Sequence, residues 1–399
     1  MLRPVESFEN ATYGPSPVKH KNDRAAESAA RDVHCSAQPE PHPESSPGHR
    51  DPRAKSRHIE ICPRGDVEYR KTTGLEAFEL VNQALPEVSL EHIDFSAALV
   101  GKRIGAPLMI APMTGGTAEG HEINSRLARA AQRWRLPMSV GSQRLAIEDP
   151  ARAALFDVRQ YAPDCVLFAN FGAAQLVRGW GAAEAHRAVD MLHADALFIH
   201  INPLHEAIQG GDRDFRGLAA RLATLCRDLA GDGIPVFARE ICFGLSTQAA
   251  RMLVDCGVAG IDCAGAGGTS WAKVEALCAR TAERRARGLR FGEWGIPTGR
   301  SILNVRAVSD SIPLIATGGL RSGIDVALAL ALGADVGAMA RPFLIRATEG
   351  DEAVDRLIAD TLEELRICMF GAGAANLAGL RGRAMRIETP PARGEHDLP

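Results

Sequence analysis

Short apolar runs alternate along this chain with segments of helical period. Eight runs have the length and composition of buried strands: Leu108–Ala111, Met138–Val140, Val166–Ala169, Ala196–Ile201, Val236–Ala238, Gly260–Asp262, Leu314–Ala316 and Val336–Ala338. Runs of this kind, bounded by Gly and Pro, predict parallel strands covered on both faces. Helical patterns lie between them, as over Thr247–Cys256 and Asp325–Leu332. Several helix ends are marked by Gly or Pro, at Gly233, Pro235, Pro313 and Gly333. Gly suits the residue after a helix and Pro cannot continue one. Eight strand–helix units predict a (β/α)8 TIM barrel. An open doubly wound sheet gives the same alternation, but no GxGxxG follows the first strand.

In a parallel barrel the chemistry gathers after the C-terminal ends of the strands. The unusual polar and glycine residues of this chain fall at those positions. Pro112, Met113, Thr114, Gly115 and Gly116 follow the first strand, Gly141, Ser142, Gln143 and Arg144 the second, and Asn170, Phe171 and Gly172 the third. The fourth ends in His200, Asn202, His205 and Glu206, and the fifth in Arg239 and Glu240. Gly265, Gly267, Gly268, Thr269 and Trp271 follow the sixth, Thr317, Gly318, Gly319 and Arg321 the seventh, and Ala340 and Arg341 the eighth. The glycines after strands six and seven bracket the place where such barrels hold phosphate, and N–H groups at a helix N-terminus attract anions.

Composition narrows the reading. The formal charge is -3 with no long basic run, so nucleic acid and anionic membranes are not expected partners. No apolar run has the length of a membrane-spanning helix. Nine scattered cysteines without a CxxC pair, and no signal peptide, predict reduced thiols, a cytoplasmic location and no zinc. Residues 1–52 are rich in Pro, Ser, Glu, His and Arg, and predict a disordered extension. Residues 390–399 predict a flexible tail, leaving residues 53–389 as the barrel domain.

Glu206 needs a cation or a basic partner, since an unpaired buried carboxylate is costly. Mg2+ carried in by a diphosphate would satisfy it. An ion pair with Arg239 does so equally well on spacing alone. Arg239 and Glu240 are adjacent on a strand, so one faces the barrel mouth and the other the helices.

These loops resemble type 2 isopentenyl diphosphate isomerase, an FMN-dependent enzyme of isoprenoid synthesis. The resemblance runs from about Lys55 to Arg381. It rests on Lys55 to Ile59, Lys71 to Glu76, Met113 to Gly116, Gly141 to Arg144, His200 to Leu204, Ala264 to Trp271, Trp294 to Thr298, Leu328 to Ala334 and Met339 to Phe343. It implies a TIM barrel that binds FMN, reduced by NADPH or another donor, and a Mg2+-bound prenyl diphosphate. It implies that Thr114, Ser142, Asn170, Arg239 and Thr269 contact the flavin, and that Gly318, Gly319, Arg321, Ala340 and Arg341 hold its phosphate. Lys55, His58 and Arg144 would grip the substrate diphosphate beside Trp271, with Glu206 at the metal. His205, Asn202 and His200 would stand at the reacting carbons. The resemblance also implies a homo-oligomer, a tetramer or octamer.

Three departures stand out. The family has Gln where this chain has His205, Lys-Glu-Val-Gly where it has Arg239 to Cys242, and Arg where it has Ala54. They leave room for an FMN-dependent 2-hydroxy acid oxidase or dehydrogenase, for a non-catalytic flavin-binding relative, and for an isomerase of another prenyl diphosphate.

Overall fold

The computed structural model describes residues 53–387, with side chains from residue 57 onward. The expectations for residues 1–52 and 390–399, and the side chain of Lys55, lie outside the described residues.

Eight parallel strands close into a barrel. They are β1 (Leu108–Ile110), β2 (Met138–Ser139), β3 (Leu167–Gly172), β4 (Ala196–Ile201), β5 (Val236–Glu240), β6 (Gly260–Asp262), β7 (Leu314–Ala316) and β8 (Val336–Met339). Closure is set by two registers: Gly337 opposite Leu108 joins β8 to β1, and Leu314 opposite Ile261 joins β7 to β6. The doubly wound alternative is thereby excluded.

The two faces of each strand divide the core. Leu108, Ile110, Leu167, Leu197, Ile199, Val236 and Leu314 face the surrounding helices. Met109, Phe168, Phe198, Phe237, Ile315 and Val336 belong to a separate inner cluster. The rings of Phe168 and Phe198 stack at 4.4 Å, and Phe237 meets Phe168 edge-on at 5.2 Å. Such aromatic pairs add about 0.5–1.5 kcal/mol each beyond their burial. Gly260 makes room for them, because a Cβ there would lie 2.0 Å from the Phe237 ring. Beneath the rings, Leu99 and Ile104 of the hairpin Ala97–Leu99 and Lys102–Ile104 complete the inner cluster.

Two strands run further than their apolar runs. β3 continues through Asn170 to Gly172, and β5 through Arg239 to Glu240. Polar side chains do not end a strand whose backbone still has a partner. Gly172 pairs with His200 and Arg239 with Asp262. This extension carries Asn170, His200 and Arg239 inward, in register with Phe168, Phe198 and Phe237 below them.

Candidate active site

Above the phenylalanine floor lies a cavity of about 260 Å³. That is many times the roughly 10–15 Å³ one water needs, so the cavity has room for a ligand. Every described residue expected to be functional from the sequence lines it. These are His58, Thr114, Ser142, Arg144, Asn170, His200, Asn202, His205, Glu206, Arg239, Thr269, Trp271, Gly318, Gly319, Arg321, Ala340 and Arg341.

The lowest layer is charged. Arg239 sits over the Phe198 ring, 5.9 Å from its centre, and pairs with Asp262, which is fully buried. Asp262 also accepts from the Thr317 hydroxyl and from Ala264 N–H at 3.2 Å. The ion pair of Arg239 with Glu206, open on spacing, is therefore not formed. Register decides the matter: Asp262 lies opposite Arg239 on the neighbouring strand. Glu240, next to Arg239, turns the other way, as alternation requires. It accepts from Cys242 N–H at 2.7 Å and Phe243 N–H at 2.5 Å, while burial pushes its carboxyl up to about 8.

Glu206 is buried and accepts from Asn202 Nδ2 at 2.9 Å and from Asp212 N–H at 3.1 Å. Among the described residues no three His, Cys, Asp or Glu side chains form a metal cage. His205 is held at both ring nitrogens: Nδ1 lies 3.2 Å from Asn202 Nδ2, and Nε2 lies 2.8 Å from Glu275 Oε1. The amide nitrogen can only donate, so Nδ1 accepts and Nε2 carries the proton directed at Glu275. His58, on the helix Arg53–Arg64, approaches the same Glu275 oxygen at 3.4 Å. Burial opposes ionisation of Glu275, but the hydrogen bonds from His205 and His58 outweigh it and hold the carboxyl well below the usual range. Trp271 stands against both imidazoles, 5.1 Å from His58 and 5.4 Å from His205. His200 Nδ1 meets Asn170 Oδ1 at 2.8 Å and so donates to it.

Sequence reasoning missed Asp262, Glu275 and Glu68. Asp262 carried a signal, being a carboxylate at the end of an apolar strand. Glu275 follows Trp271 by four residues and so shares its helix face. Glu68 had no local signal.

The glycine loops also set how the site packs. A Cβ at Gly318 would lie 2.0 Å from Gly265 O, and one at Gly268 would lie 2.5 Å from Gly319 N. The loops after β6 and β7 thus pack backbone on backbone. Gly318 also has φ +104, a conformation L side chains rarely adopt. Gly318→Ala is expected to abolish flavin retention and to destabilise the fold by more than the roughly 1–3 kcal/mol of backbone strain alone. Gly231→Ala, at a helix end with nothing within 4 Å, is the control and should be neutral or stabilising. Thermal melts and the flavin absorbance of the purified variants measure both.

The residues suit a flavin. Thr114 Oγ1 and Asn202 Oδ1 are buried on the cavity wall without a hydrogen-bond partner among the described residues. Two arginines and a glycine loop line one side of the same cavity. The family model for FMN-dependent dehydrogenases matches residues 64–161 and 234–387. A Synechococcus protein named isopentenyl-diphosphate delta-isomerase is 48% identical over 332 residues, 83% of this chain and 94% of its own. The chain belongs to this isomerase branch of the FMN-dependent dehydrogenase family. Relatives of the same name from Nostoc (48% identical, 84% of this chain and 96% of that protein) and Stutzerimonas stutzeri (50% identical, 77% and 89%) agree. Among solved structures, a mandelate oxidase variant matches with TM-score 0.53 at 18% identity, covering 83% of this chain and 91% of that one. A flavocytochrome b2 variant matches with TM-score 0.57 at 16% identity, covering 82% and 80%. At such identities the likeness establishes the shared barrel alone.

Proposed function

We propose that this chain converts isopentenyl diphosphate to dimethylallyl diphosphate, with reduced FMN and Mg2+. The observation that carries the reading is a convergence in one cavity. Groups for a diphosphate (His58, Arg144), a carboxylate for its metal (Glu206) and the arginines of a flavin phosphate site face the same space, in a chain 48% identical to proteins of that name.

Thr114, Ser142, Asn170 and Thr269 would hold the flavin ring and ribityl chain, with Arg239 beneath. Gly318, Gly319, Arg321, Ala340 and Arg341 would hold its phosphate. Bound and reduced, FMN supplies an electron-rich surface and an acid–base group for moving the alkene proton. His58 and Arg144, with Lys55, anchor the diphosphate, and binding energy at that remote end orients the reacting carbons. Glu206 would offer a carboxylate to a Mg2+ carried in by the diphosphate. Trp271 forms an apolar wall that excludes water. His205, fixed as the Nε2–H tautomer between Asn202 and Glu275, and His200, fixed by Asn170, line the reacting end with Asn202. NADPH is the proposed reductant, and a tetramer or octamer the proposed assembly. Eight described cysteines are free thiols, which supports a reducing compartment such as the cytoplasm. No helix among the described residues is long and apolar enough to cross a membrane.

A 2-hydroxy acid oxidase needs an arginine free to clamp the substrate carboxylate. Arg239, buried in this layer, is already paired with Asp262. The test is anaerobic incubation of the purified protein with FMN, NADPH, Mg2+ and isopentenyl diphosphate. The reading predicts dimethylallyl diphosphate, lost when Mg2+ is chelated, and no oxidation of lactate or mandelate in air. Yellow protein that yields no product, or that oxidises either acid, overturns it.

A further inference from the structure

The two arginines of the phosphate side come from different loops, after β7 and after β8. Both reach one carboxylate. Arg321 donates to Glu68 Oε1 at 2.9 Å, and Arg341 pairs with the same oxygen. Both arginines line the cavity and Glu68 does not, so the carboxylate approaches from behind. It is not placed by chance. Residues 67–69 are pinned to the loop after β6: Tyr69 N–H donates to Gly268 O at 2.8 Å, Ser270 N–H to Val67 O at 2.7 Å, and Glu68 forms a bridge with Thr269. Lys273 Nζ holds the Glu68 carbonyl. Arg341 is fixed on its other side by Cys62 O at 2.6 Å and Pro63 O at 3.1 Å.

We propose that Glu68 is a positioning residue for the flavin phosphate, holding Arg321 and Arg341 side by side so that both present N–H groups to it. The inference rests on FMN occupying this cavity. Two guanidiniums repel when no anion lies between them. Arg321, whose side chain is 37% exposed, would turn to solvent if the carboxylate were removed. Arg341 would keep its carbonyl partners. The phosphate would then lose one charge-assisted contact, while the ring and ribityl contacts would be unchanged.

The measurement is flavin affinity of the full-length protein freed of flavin, by fluorescence quenching, with FMN and with riboflavin, which lacks the phosphate. Glu68→Gln should raise the Kd for FMN about tenfold and leave that for riboflavin unchanged, the loss expected for one charge-assisted hydrogen bond. Glu68→Asp, which keeps the charge on a shorter arm, should recover part of the difference. Equal weakening of both flavins means that Glu68 only supports the loop, and overturns the proposal. Unchanged or tighter FMN binding overturns it too, the latter meaning that the carboxylate competes with phosphate. If the native protein binds neither flavin, the cofactor assignment fails and the proposal falls with it.

Discussion

Replacing Asp262 with alanine is expected to lower the unfolding free energy by about 3–5 kcal/mol, the usual result of removing one partner of a buried ion pair. The change strands Arg239 between the phenylalanine floor and the cavity, 6% exposed, with its counter-charge gone. It also removes the acceptor of the Thr317 hydroxyl and of Ala264 N–H. Asp262→Asn keeps acceptor capacity but not charge, and should cost less. The double variant Arg239→Met with Asp262→Leu fills similar volume without a stranded charge and should recover much of the loss. Urea unfolding of the variants measures the series. If Asp262→Ala unfolds like the native protein, the charged floor is not a structural element.

The second large effect concerns turnover. Glu206→Gln should lower kcat/KM for isopentenyl diphosphate at least about hundredfold, close to 2.7 kcal/mol of transition-state binding. A neutral amide is a weaker Mg2+ ligand than a carboxylate, and its NH2 group would replace one of the two oxygens that now accept from Asn202 Nδ2 and Asp212 N–H. FMN affinity should be retained, because the role proposed for Glu206 is on the substrate side. Rates over a Mg2+ series separate the metal role from a structural one. A wild-type Mg2+ response with a uniformly lower rate would assign Glu206 to shaping the loop instead.

The barrel could be read from eight apolar runs because burial on both faces forces each strand to be apolar throughout. Strand ends were less legible: Asn170 and Arg239 look like loop residues by polarity, yet backbone pairing with β4 and β6 keeps them in the sheet. The described residues named from the resemblance line one cavity, since loop position follows from chain order in this fold. Partners were another matter. The spacing of Glu206 and Arg239 left an ion pair open, and only barrel register shows that Asp262 takes the arginine. Glu275 and Glu68 act across 70 and 253 residues, on His205 and Arg321, a separation no local pattern reports.

The aromatic floor also governs traffic. Phe168, Phe198 and Phe237, backed by the hairpin, stopper the bore at the N-terminal end of the strands. Anything that enters the cavity therefore does so from the end where the strand C-termini lie, the end His58 also lines. Whatever settles deepest is admitted first and departs last. On the proposed placement of flavin against Thr114 and Asn170, the prenyl diphosphate would have to leave before the flavin could be exchanged.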